Sequence, residues 1–229
     1  MEIIVGSETE QATLHAHQAF LLESPFFKNL IDAFSADVTV SQTRNMHEAS
    51  TNFPQQRRIE LLGEDVAAVA AVLEWLYKKD YFPTLTGPSN VETDPTLPHP
   101  DSAGVGLLRH ARVYTLAKRF GLPALTKMAH KKIHCTGSTA SGELAYAQYV
   151  YGHTQPDDTE IRKPIAQFWA TRSHVLRHEA EHEFRTMCLQ YPQFGFDVLS
   201  LVLDAQEKRT AKSEGSQMTG RKRARVSQG

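Results

Sequence analysis

RIELLGEDVAAVAAVLEWLYKKDY, residues 58–81, changes character in the middle. RRIELLG at 57–63 is a brief apolar stretch closed by a glycine, which predicts a short strand. EDVAAVAAVLEWLYKKDY at 64–81 then repeats its apolar residues at helical spacing. Acids stand in the first turn and Lys78 and Lys79 in the last, as the helix dipole favours. Trp75 and Tyr77 are two apart and so lie on different faces of that helix. Trp75 is expected in the core and Tyr77 partly exposed.

The stretch before it has the same mixture. EIIVG at 2–6 predicts a strand and TLHAH at 13–17 its hairpin partner. QAFLLESPFFKNLIDAF at 18–34 has helical period, interrupted where Ser24 can cap and Pro25 can open a new helix. Two short helices are predicted, over 18–22 and 25–34, and the second must bury one of Phe26 and Phe27. His17 joins strand to helix, where its ring can bond backbone. Residues 35–57 are polar without clear period and read as a surface loop.

Residues 83–104 hold five of the eleven prolines and predict a loop without regular order. Helices are predicted over 105–121, 122–134, 142–151, 158–172, 173–189 and 195–208. The last residues, 207–229, lack apolar periodicity and predict a disordered basic tail. Strands first and helices afterwards describe an α+β fold, a small sheet packed against helices.

Composition narrows the function. A net charge of -1 over 229 residues argues against a protein that coats nucleic acid. Two cysteines, Cys135 and Cys188, form no C-x-x-C pair and fit a reducing compartment. MEIIVGSETE lacks the basic start of a secretory signal. The longest apolar run, VAAVAAVL at 66–73, is too short to span a membrane. There is no G-x-S-x-G and no glycine-rich phosphate loop, so no cofactor is expected.

Three segments together resemble the BTB/POZ domain in its fungal form. They are VG at 5–6 with LHAHQAFLLESPFFKNLI at 14–31, RIELLGEDVAAVAAVLEWLYKKDY at 58–81, and VYTLAKRFGLPALTKMAHKKI at 113–133. The resemblance covers about 1–135, and ELAYAQYVYGHTQPDDTEIRKPI at 143–165 is similar to the region after the domain in many fungal members. It implies a three-stranded sheet capped by helical hairpins over 1–135, with loop insertions at about 35–57 and 83–104. A C-terminal helical region would follow over 136–206.

The function implied is non-catalytic protein–protein interaction, as adaptor or nuclear scaffold, by self-association into a homo-oligomer or by docking another protein. The chain opens on the first strand, without the segment that many family dimers exchange, so pairing of that kind is not expected. Gln18 replaces the basic residue after the motif His17, and the Asp before the first strand is missing, so a charged co-repressor groove is not expected either. Cullin-binding members carry an apolar-x-Glu element between the second helix and the third strand. Met46-His47-Glu48 matches it, which would make the chain a substrate adaptor of a cullin-type ubiquitin ligase, with the C-terminal helices recruiting the substrate.

Two further motifs stand outside the resemblance. HEAEH at 178–182 has the H-E-x-x-H form in which His178 and His182, one helical turn apart, would hold zinc and Glu179 would act as base. The longer metzincin pattern has Gly and His where this chain has Arg185 and Cys188. The surrounding charges predict a solvated face carrying the row His174, His178 and His182 instead. A zinc hydrolase is thus the alternative to a binding module. In the tail, Lys208 and Arg209, then Arg221, Lys222, Arg223 and Arg225, match a bipartite nuclear import signal for an import receptor. Direct nucleic-acid binding is not expected, because no finger, helix-turn-helix or basic zipper accompanies these residues.

Overall fold

A computed structural model describes residues 1–7, 9–44 and 58–220. In chain order the elements are β1 (Glu2–Gly6), β2 (Gln11–His15), α1 (Gln18–Leu21), α2 (Pro25–Arg44), β3 (Arg58–Leu62), α3 (Val66–Lys78), α4 (Val105–Arg119), α5 (Pro123–Cys135), α6 (Ala140–His153), α7 (Thr159–Glu179), α8 (Glu181–Gln190) and α9 (Pro192–Gly220). The chain divides into two compact units, Met1–Gly142 and Glu143–Gly229. The division falls inside α6, seven residues past the break at 135/136 drawn from the sequence.

The first unit is α+β, with a three-stranded sheet in the order β2-β1-β3. β1 pairs antiparallel with β2, Glu2 opposite His15, and parallel with β3, Ile3 opposite Ile59. As the middle strand it is buried on both faces through Ile3, Ile4 and Val5. β3 has one covered face and buries only Ile59 and Leu61. The hairpin strand occupies 11–15 rather than 13–17. The antiparallel register returns directly from Gly6 to Gln11, where Ser7 Oγ accepts the Glu10 N–H at 3.2 Å.

α3 begins on Asp65, whose side chain accepts the Ala68 N–H at 2.8 Å, and ends on Lys79 in the left-handed conformation. Its apolar face buries Ala68, Val69, Val72, Trp75 and Leu76, and Tyr77 is partly exposed as expected. α4 packs against α3 and against α5. Ser24 Oγ donates to the Phe120 carbonyl at 2.6 Å and accepts the Phe27 N–H at 3.4 Å, so it caps α2 and ties that helix to the end of α4. Phe27 is the buried aromatic of its pair, and Phe26 stacks on Phe120 at 4.6 Å.

Two expectations need correction and a third gains detail. α2 runs to Arg44, so the first ten residues of the expected loop at 35–57 are helical; SADVTVSQTR contains no proline or glycine to stop it. Residues 83–104 form the expected irregular loop, and two buried carboxylates hold it in place. Asp94 accepts from the Thr96 N–H and hydroxyl, at 2.9 and 2.6 Å, and from Arg109 at 2.7 Å. Burial opposes its ionisation, but these bonds outweigh that and hold its carboxyl below the usual range. Asp101 accepts the N–H groups of Val105 and Gly106, at 3.0 and 2.9 Å, and so caps α4. Finally, α9 continues to Gly220, although 207–229 was expected to be disordered. EKRTAK at 207–212 consists mostly of good helix formers and is exposed, so propensity rather than packing extends the helix there.

In the second unit α9 packs on α7 and α8. Trp169 is fully buried, 5.3 Å from the Phe184 ring and 6.3 Å from Phe194. Tyr151 donates to Asp197 at 2.8 Å, and Arg162 lies over its ring. The expected helix break at 172/173 falls at Ala180 instead. There the buried methyl side chain lets the chain turn so that Phe184 reaches Trp169.

Candidate docking surface

The break at Ala180 decides the HEAEH motif. α7 ends at Glu179 and α8 begins at Glu181, with Ala180 at φ -137 and ψ 51 between them. His178 and Glu179 therefore belong to one helix and His182 to the next. The single uninterrupted turn that sets two imidazoles around zinc is missing, and with it the continuous row from 174 to 182. His178, Glu179, Glu181, His182, Glu183 and Arg185 are all exposed, as the charge pattern predicted. Among the described residues no three His, Cys, Asp or Glu side chains converge as a metal set.

A cluster of buried titratable groups lies elsewhere, in the first unit. Lys132 of α5 is fully enclosed. Its ammonium donates to Asp80 Oδ1 at 2.6 Å, to the Pro83 carbonyl at 2.8 Å and to the Tyr81 carbonyl, and lies 3.7 Å from the Tyr81 ring centre. Desolvation lowers its pKa against the opposing pull of Asp80 and Glu74. The Tyr81 hydroxyl meets His110 Nδ1 at 2.9 Å. Burial, then the charges of Lys132 and Arg109, push His110 down to about 3, so its ring is neutral. Every Lys132 proton has an acceptor within the fold, so the cluster fastens the chain after α3 onto α4 and α5. Its signal was present in the sequence: Lys132 shares the inward face of α5 with Leu125, Ala129 and Ile133.

His17 likewise serves the fold. Both its ring Nδ1 and its backbone N–H meet the Tyr77 hydroxyl, at 2.7 and 2.8 Å. The ring's partner is thus a side chain from α3 rather than nearby backbone, because α3 brings Tyr77 to the end of β2. Cys135 and Cys188 are both free and half-buried, and burial raises the Cys188 thiol.

The second unit presents a different kind of surface. Phe196, Leu199 and Leu203 of α9 follow one another at i, i+3 and i+7, and are 65%, 56% and 48% exposed. Phe194 and Val198, on the other side of the helix, are buried. On α8, which packs on α9, Leu189 is 72% exposed. A row of large apolar side chains exposed on one helix face marks a candidate contact surface. Periodicity predicted the helix over 195–208 but could not say which of its two apolar rows turns inward.

Lys208 and Arg209 lie further along α9 and are exposed. Arg221, Lys222, Arg223 and Arg225 lie outside the described residues, as do Met46 and Glu48. Among the described residues no helix is long and apolar enough to cross a membrane. No protein-family model matches the chain, and no curated protein matches it.

Proposed function

We propose that this chain is a non-catalytic protein–protein interaction module of BTB/POZ type, acting as an adaptor or scaffold. One observation carries it: the exposed apolar row Phe196, Leu199 and Leu203 on α9. Burying a fully exposed side chain of this size contributes about 1.5–3 kcal/mol; these three are roughly half exposed, so a partner covering the row gains a part of each term. The POZ assignment rests on the three sequence segments. The arrangement of a small sheet with β1 in the middle, α3 after β3, and α4 paired with α5 is compatible with it. The sheet-bearing unit then supplies the scaffold and the helical unit the recruiting face.

The test compares the full chain with a Leu199→Asp/Leu203→Asp variant in affinity capture and light scattering, with thermal unfolding as the control. A protein retained by the wild type and lost by a variant that unfolds at the same temperature supports the reading. A dimer that the variant converts to monomer selects self-association. Identical retention and identical mass for both chains overturn the role of this face.

The resemblance also offers the cullin branch through Met46 and Glu48. Retention on a cullin amino-terminal domain, lost with Glu48→Lys, is its expected outcome; no retention of the wild type eliminates it. Nuclear localisation is the companion proposal. Import receptors read an extended basic chain, so Lys208 and Arg209 must leave the helix to be read. Exposure throughout 203–212 keeps that step inexpensive.

A further inference from the structure

We propose that His130 and His134 form a two-imidazole clip for a divalent transition-metal ion on the outer face of α5. The residues are one turn apart on a single unbroken helix, unlike the pair in HEAEH. Their Nε2 atoms face each other at 3.2 Å, with ring centres 4.5 Å apart and ring planes at 84°. That separation is at the long end of the hydrogen-bond range. It also matches the spacing of two donors on one ion: metal–nitrogen bonds of about 2.0–2.1 Å at a tetrahedral angle place the nitrogens about 3.3 Å apart.

The facing nitrogens cannot both carry a proton toward each other, so at least one lone pair points into the gap. The Tyr114 ring of α4 lies 6.2 Å from His130 and helps set that ring's place on the helix. His134 is exposed and His130 half-buried, so an ion can reach the pair from solvent.

Among the described residues no third His, Cys, Asp or Glu completes a cluster here. The remaining coordination positions are therefore left to water or to a donor from a binding partner. Imidazole pairs of this kind take Cu2+, Ni2+ and Zn2+ and discriminate against Mg2+ and Ca2+, which want oxygen.

Titration of the full chain with Ni2+ and with Zn2+ tests the clip, with His130→Gln, His134→Gln and His182→Gln measured in parallel. Expected are about one equivalent bound by the wild type, affinity reduced at least tenfold by either His130→Gln or His134→Gln, and no change with His182→Gln. The wild-type unfolding temperature should rise with Zn2+ and that rise should vanish in the first two variants, as binding to the native state requires. No binding by the wild type overturns the clip. So does affinity retained in either of the first two variants, or lost only with His182→Gln.

Discussion

Lys132 shows how far one side chain can organise its surroundings. Its ammonium is the shared donor for Asp80 and for two backbone carbonyls that have no other described route to a hydrogen bond. Removing it leaves the Tyr81 and Pro83 carbonyls without their donor, while Asp80, partly exposed, keeps the Tyr81 N–H at 2.8 Å. Lys132→Ala is expected to cost about 3 kcal/mol, read from urea unfolding, because two enclosed carbonyls lose their donor and the buried side chain leaves a cavity. A loss below about 1 kcal/mol would mean that water already reaches the carbonyls. Lys131, the preceding residue, is exposed and serves as the control.

His110 gives the same cluster a pH dependence. Its folded pKa is depressed to about 3 from 6.5, so between those values the unfolded chain binds the proton and the folded chain does not. The stabilisation from the neutral ring is complete above pH 6.5 and is lost as the pH falls toward 3. The stability gap between wild type and His110→Gln should therefore be widest near about pH 7.5 and narrow steadily on acidification, as followed by denaturant unfolding at several pH values. A gap independent of pH would place the ring's proton elsewhere.

At the scale of the element, the caps explain where helices begin and the missing stops explain where they fail to end. Asp65 accepts the Ala68 N–H at 2.8 Å and the Arg112 guanidinium at 2.7 Å, so one carboxylate both starts α3 and links it to α4. Asp65→Ala should cost about 1 kcal/mol in thermal or chemical unfolding, and Asp65→Asn should recover most of that, since the cap survives without the charge. α4 begins differently, on Gly104 in the left-handed conformation at φ 67, with Asp101 reaching in from outside the helix. A Cβ on Gly104 would meet the Gly142 carbonyl oxygen at 2.5 Å, so the close approach of two backbones adds to the conformational demand for glycine. α2 and α9 both overrun their predicted ends: α2 continues to Arg44 with no breaker residue in its way, and α9 continues to Gly220 even though Gly215 interrupts its run of helix formers.

For the whole molecule, the two units divide the properties that matter for function. The first carries the sheet, the buried ionic cluster and the bis-imidazole pair. The second carries the exposed apolar row and the start of the basic tail. A reporter fused to residues 207–229 is expected to accumulate in the nucleus, and Lys208→Ala/Arg209→Ala should weaken that accumulation, as measured by fluorescence imaging. A reporter that stays outside the nucleus removes the import reading.

Local residue order was enough to predict β1, β3, α3, the α4–α5 pair and the opposite fates of Trp75 and Tyr77, because period and capping are properties of neighbouring residues. It was also enough for the exposed charge of 178–185. It could not place Ala180 at a helix break, since that turn exists to bring Phe184 against Trp169, a contact across fifteen residues. Nor could it pair Lys132 with Asp80, His17 with Tyr77, or choose which apolar row of α9 faces water. Each of these depends on atoms brought together from distant parts of the chain, and burial, not sequence neighbourhood, sets their energies.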